Sequence, residues 1–194
     1  MRGKRTVGQY RAVDLSLFAV ILIVFETVLL RAATAWFPQE AWTVSLVPAI
    51  TAIVMVRWGP WAGLHALLGG VVTALVSRAR LQQYFVYGVG NLAGLAALLL
   101  LRDGRWKKLQ ASTLYNFLFA ALTVLCMQAG RMLAALVVGA PAEGLLLFIT
   151  TDSVTYIFTL VILWIAARLD GLLEDQRHYL ARINDPAGKE DGFR

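Results

Sequence analysis

The fold is decided by residues 15–30, Leu-Ser-Leu-Phe-Ala-Val-Ile-Leu-Ile-Val-Phe-Glu-Thr-Val-Leu-Leu. Apart from Ser16, Glu26 and Thr27, every side chain is apolar, and the apolar positions go right round a helix. A helix that is hydrophobic on all faces belongs in a large core or in a membrane. The run predicts a first span from about Val13 to Phe37, longer than the roughly 20 residues a bilayer crossing needs. Arg2, Lys4, Arg5 and Arg11 before it, and Ala33-Thr34-Ala35 after it, imitate a secretory signal peptide. The length of the run and Glu26 inside it favour an uncleaved span.

The rest of the chain repeats this character. Of 194 residues, 59% are hydrophobic and 15% charged, with a mean hydropathy of +0.66. A soluble domain is about 45–50% apolar and about 25% charged, so a cytosolic enzyme is excluded. Five further apolar stretches follow at about Trp42–Val56, Trp61–Ser77, Gln83–Leu101, Leu114–Val138 and Leu145–Ala167. The expected fold is an all-α integral membrane protein with six transmembrane helices. Residues 1–170 form that domain, and residues 171–194 form a polar cytoplasmic tail. The second and third stretches are separated only by Arg57-Trp58-Gly59-Pro60, where Pro60 predicts a tight turn and Trp58 and Trp61 read as interface anchors. In the tail, Leu172, Leu173, Tyr179, Leu180 and Ile183 are spaced to extend the last helix as an amphipathic end.

The net charge of +6 is resolved by position. With the N-terminus cytoplasmic, the inner segments hold Arg102, Arg105, Lys107 and Lys108 in one loop and Arg168, Arg177, Arg182 and Lys189 near the end. The outer loops around Pro38–Ala41 and Gly139–Glu143 carry no Lys or Arg, so the positive-inside rule places both termini in the cytoplasm. Nucleic acid is not needed to explain the charge. The single cysteine, Cys126, excludes a disulfide framework and a thiolate metal cluster and reads as a small core residue.

Ionisable residues within spans are costly and mark function by default. Here they gather at one level. Glu26 and Arg31 lie in the outer part of the first span, and Arg78, Arg80, Gln82, Gln83 and Tyr84 at the junction of the third and fourth. Tyr87 and Asn91 continue down the fourth, Gln128 and Arg131 lie towards the outer end of the fifth, and Asp152 and Tyr156 open the sixth. Convergent polar groups in apolar surroundings are what a solute site requires. Each has a plainer role beside it: Arg31, Arg78 and Arg80 snorkelling to headgroups, Arg131 and Asp152 as a structural ion pair, His65 and His178 as structural histidines. Gly90 and Gly94, four apart, and Gly59, Gly63, Ala66, Gly70 and Ala74 on the third span read as close-packing faces. No P-loop, zinc motif or nucleophile elbow is present. The chain is therefore read as a non-enzyme without metal or cofactor, and any ATP-driven step needs a partner.

The stretch Pro48-Ala49-Ile50-Thr51-Ala52, then Trp58-Gly59-Pro60-Trp61-Ala62-Gly63-Leu64 and Gly69-Gly70, resembles the second and third helices of S components of energy-coupling factor (ECF) transporters. The end, Asp170-Gly171-Leu172-Leu173-Glu174-Asp175-Gln176, is similar to a tail of S components of unassigned substrate. The resemblance covers most of the chain by pattern, with the Gly-Pro-Trp-Ala-Gly turn its most specific part. It implies a subunit in a prokaryotic plasma membrane that binds a vitamin or related micronutrient from outside. Such a subunit docks on a transmembrane coupling subunit with two ATPases. The family docks through a small-residue A-x-x-x-A pattern on the first helix; here Ala12-x-x-x-Ser16 with Ala19 stands in a degenerate form. The family's pocket lies on the outer side, where the polar layer falls. With Arg31, Arg78, Arg80 and Arg131 against Glu26 and Asp152, a solute with an anionic group is expected, and Tyr84, Tyr87 and Tyr156 are placed to stack on a ring.

Two other readings stand beside it. A small structural or assembly subunit of rod-shape machinery has a similar helix pattern and needs no ligand. A secondary transporter would show repeat halves and broken helices, and no internal repeat is visible.

Overall fold

The computed structural model describes residues 6–38 and 44–184. Arg2, Lys4, Arg5, Lys189 and the loop residues 39–43, Trp42 included, lie outside the described residues.

The chain is an all-α bundle of a multi-pass membrane protein. Helix α1 runs Val7–Trp36, α2 Val47–Trp58, α3 Ala62–Val76 and α4 Leu81–Asn91. Helical turns over Leu92–Gly104 continue α4, and Arg102 and Asp103 leave helical geometry. The short α5, Lys107–Ala111, leads into α6, Thr113–Val137; α7, Leu147–Thr150, precedes α8, Ser153–Ala166, and α9 is Gln176–Asn184. Val7–Trp36, Leu81–Gly104 and Thr113–Val137 are each long and apolar enough to cross a membrane, as is Val47–Val76 taken as one stretch.

That last stretch is folded back on itself. A Cβ placed on Gly69 of α3 would lie 2.5 Å from Val47 at the start of α2, so the two helices lie side by side. The reversal is at Gly59, whose φ of +62° suits glycine, and Pro60 follows in the connecting turn Gly59–Trp61. The tight turn is therefore present. Trp58, however, is no interface anchor: it is buried, and its Nε1 donates to Asp14 Oδ2 at 2.6 Å. Trp61 is exposed, with the Arg11 guanidinium 4.4 Å above its ring.

Helix α2 is the central post. Every residue from Val47 to Val56 is buried, and α1, α3, α6 and α8 pack around it. The outer helices show the opposite pattern: on α1 only Phe18, Leu22 and Glu26 are buried, while Val13, Leu17, Val20, Phe25 and Val28 are exposed. Uniformly apolar helices with exposed aliphatic faces are suited to lipid contact. Glycine sets the spacing between α4 and α6, because a Cβ on Gly90 would sit 2.7 Å from the Arg131 Cα. Gly94 packs on Met127 in the same way, so the Gly90/Gly94 face is a packing face. Cys126 is half-buried rather than a core residue.

The tail does not prolong α8. The chain reverses at Gly171, φ +69°, and turns back against the bundle. Leu173 and Leu180 are buried in the main core cluster, and Arg57 Nη1 donates to the carbonyls of Gly171 and Leu172 at 2.7 and 3.1 Å. The apolar spacing was the signal, but the left-handed glycine redirects it inward.

Candidate functional site

Three helices bring polar side chains to one buried junction. Asn91 ends α4, Gln128 and Arg131 lie one turn apart on α6, and Asp152 precedes α8. Arg131 Nε donates to Asn91 Oδ1 at 2.7 Å, and its Nη1 donates to Asp152 Oδ2 at 3.0 Å and Gln128 Oε1 at 3.4 Å. Gln128 Nε2 donates to the same Asp152 oxygen. Asn91 Nδ2 reaches across to the Ala66 carbonyl of α3 at 3.1 Å. All four side chains are buried, Arg131 to 4% exposure and Asp152 to 5%. The ion pair expected between Arg131 and Asp152 is therefore formed, inside a network that satisfies both charges.

The backbone places these groups. Close contact of α4 and α6 at Gly90 puts Asn91 within reach of Arg131. The helical run after Leu147 is interrupted at Thr151 and Asp152, which aims Asp152 inward at the head of α8.

Glu26 forms a second cluster at the start of α2. Its carboxylate accepts from Ser45 Oγ at 2.8 Å, the Leu46 N–H at 2.6 Å and Thr73 Oγ1 at 3.1 Å. Ser45 Oγ in turn accepts from the Val47 N–H at 3.2 Å, and the Ser45 N–H donates to Thr155 Oγ1 at 3.1 Å. A carboxylate at a helix N-terminus meets both free N–H groups and the positive end of the dipole. Glu26, supplied by α1, thus caps α2.

Two cavities adjoin these clusters. The inner one, about 100 Å³, is lined by Ser45, Thr73, Tyr87, Arg131, Phe148 and Asp152 among others. The larger, about 440 Å³, is lined by Arg80, Gln82, Gln83, Tyr87, Gly139 and Phe148 among others. Tyr87 and Phe148 border both; their rings meet edge to face, centroids 6.4 Å apart. Tyr87 is also held by the Arg131 guanidinium 5.2 Å from its ring centre.

The remaining expected site residues are dispersed. Arg31 and Arg78 are exposed and line neither cavity, and Arg80 is exposed on the rim of the larger one. Arg78 holds φ +51° in the turn between α3 and α4. Tyr84 and Tyr156 are half-buried and border neither cavity. Ala12 and Ser16 are exposed on α1, and Ala19 is half-buried. Ser45, Thr73, Thr155 and Phe148 were not singled out from the sequence. Thr73 carried the same signal as the others, a hydroxyl in an apolar helix; Ser45 lies in a loop with no periodicity to mark it.

The chain matches no family model, no curated protein and no solved structure.

Proposed function

We propose that this protein is the membrane-embedded, solute-binding subunit (S component) of an ECF-type ATP-driven importer in a prokaryotic plasma membrane. In this reading the polypeptide crosses six times, with both termini cytoplasmic and the Arg131 network towards the outside. The observation that carries it is the convergence of Asn91, Gln128, Arg131 and Asp152, from α4, α6 and the head of α8, in one buried network whose Arg131 and Asp152 line a cavity. A membrane protein that needs only to hold its helices together can do so with small-residue packing. Four buried hydrogen-bonding side chains beside a cavity are the arrangement of a polar-ligand site.

The solute enters through the larger cavity and passes the Tyr87–Phe148 pair. The count of arginines favoured an anionic group, but Arg31 and Arg78 stand away from the network and Arg131 is paired with Asp152. The anionic group of a micronutrient is therefore assigned to the Arg80 rim, and its neutral polar part to the inner cavity. Coupling to ATP comes from two partner ATPases through a transmembrane coupling subunit, with the exposed Ala12 and Ser16 and the neighbouring Ala19 on α1 as the docking stripe.

Mass spectrometry of small molecules retained by the purified protein tests the reading. A retained solute, lost in an Arg131→Leu/Asp152→Leu double variant that still elutes as folded monodisperse protein, is the expected result. Copurification with cell-wall assembly proteins instead of an ATPase pair would overturn it.

A further inference from the structure

At the end of the bundle opposite the Arg131 network, a separate polar niche opens between the start of α6 and the end of α8. Its volume is about 150 Å³, and Gln110, Thr113, Asn116, Trp164 and Arg168 contribute to its wall. That is room for several waters or one phosphate group.

Asn116 gives the niche an unmet hydrogen-bond acceptor. It is 1% exposed, and its Nδ2 donates to the carbonyls of Leu109 and Leu163 at 3.3 and 3.1 Å. Two carbonyl partners identify that end of the amide as the nitrogen. Its Oδ1 is buried with no hydrogen-bond partner. A buried acceptor left unmet is costly, and it calls for a donor from outside the protein.

The rest of the wall calls for an anion. Arg168 is exposed, its guanidinium 4.1 Å above the Trp164 ring, and no acidic side chain is among the lining residues. Thr113 is the first residue of the 25-residue α6, so its hydroxyl stands at the positive end of that helix dipole. Lys107 and Lys108 are exposed on the adjoining α5. Trp164 lies near the end of α8 with 39% exposure, the placement of a side chain at a membrane–water interface.

We infer that this niche holds the headgroup of an anionic glycerophospholipid that also carries a hydroxyl. The phosphate sits on Arg168 and Thr113, the headgroup hydroxyl donates to Asn116 Oδ1, and the acyl chains run out past Trp164. This inference rests on the membrane setting and on the cytoplasmic placement of the basic Arg102–Lys108 end, and stands apart from the solute-binding reading. Basic niches between helices at the cytoplasmic face are suited to anionic headgroups.

Native mass spectrometry of the full chain in detergent tests it, with phosphatidylglycerol, phosphatidic acid, phosphatidylcholine and soluble glycerol 1-phosphate as probes. Phosphatidylglycerol is expected to be retained in preference to the other three. Arg168→Gln should weaken its retention about fivefold, the weight of one cation at the surface. Asn116→Leu should erase the preference over phosphatidic acid. Because Asn116 also ties two carbonyls, Arg168→Gln and Thr113→Val, both at exposed positions, keep the test open if that variant misfolds. Equal retention of phosphatidylcholine, equal binding of glycerol 1-phosphate, or an unchanged Arg168→Gln protein would overturn the inference. So would an equal loss in Lys107→Gln/Lys108→Gln, which would mark diffuse surface charge.

Discussion

Arg57 and Asp14 form a two-pronged ion pair: Nε and Nη2 each donate to one carboxylate oxygen, both at 2.8 Å. The pair ties α2 to α1, while Arg57 Nη1 holds the Gly171 and Leu172 carbonyls of the tail. One guanidinium thus joins three segments far apart in sequence. The fork geometry explains arginine here, since a lysine ammonium cannot reach both oxygens and the tail at once.

Arg57→Ala should release the tail as well as weaken the bundle. Hydrogen bonds to charged groups contribute about 1.5–3 kcal/mol each when intact, less where water reaches them. The expected signs are a lower melting temperature in detergent and faster proteolysis between Gly171 and Gln176. Arg57→Lys should recover part of the stability but little of the tail protection. If the lysine variant restores both, the fork is irrelevant.

Removing one member of the Arg131–Asp152 pair should cost more than removing both. A buried charge stripped of its partner costs about 3–5 kcal/mol, whereas an apolar pair of similar volume is often neutral. Asp152→Leu and Arg131→Leu should each destabilise strongly, and the double variant should recover much of the loss. Thermal denaturation of the four proteins measures the coupling. Additive losses would show that the two side chains do not depend on each other.

Gly90 is expected to tolerate no side chain. Gly90→Val pushes on the α6 backbone at Arg131, and overpacking of this kind costs about 1–3 kcal/mol. Gly88→Ala is the control, since the nearest atom to an added Cβ there is 4.0 Å away. The two variants should therefore differ sharply in melting temperature despite lying two residues apart on one helix. Equal tolerance would remove the close approach of α4 and α6 from the account of the site.

Phe148→Ala should merge the two cavities. A cysteine introduced at Thr151, which lines the inner cavity, reports on this without any knowledge of the solute. Modification by a small membrane-impermeant thiol reagent is expected to be slow with Phe148 present and at least several-fold faster with Phe148→Ala. Cys126→Ser removes the native thiol from the background. Identical rates would mean that the aromatic pair does not separate the compartments.

Much of this architecture was legible because lipid imposes a simple rule on composition. The run from Leu15 to Leu30, the Gly59-Pro60 reversal and the Gly90/Gly94 face all follow from local chemistry, and each is present. Asn91, Gln128, Arg131 and Asp152 stood out for the same reason: polar atoms are conspicuous in apolar helices. What lay hidden depends on partners distant in sequence. Ser45 meets Glu26 across 19 positions, and Trp58 turns inward because Asp14 on another helix accepts its N–H. Counting arginines also overstated the positive charge at the site, because periodicity places Arg31 and Arg78 at a depth without saying which way they face.

The shortness of α2 has a consequence for its two ends. It has 12 residues, about 18 Å of helix, with the Glu26 carboxylate at one end and the Asp14–Arg57 pair at the other. A bilayer core is about 30 Å thick. Along this axis the helix is therefore shorter than the lipid core around it, and its ends stop inside the bundle. Its first N–H groups are met by Glu26 and Ser45 in place of water, so loss of Glu26 would strand donors at a helix end that lies inside the bundle.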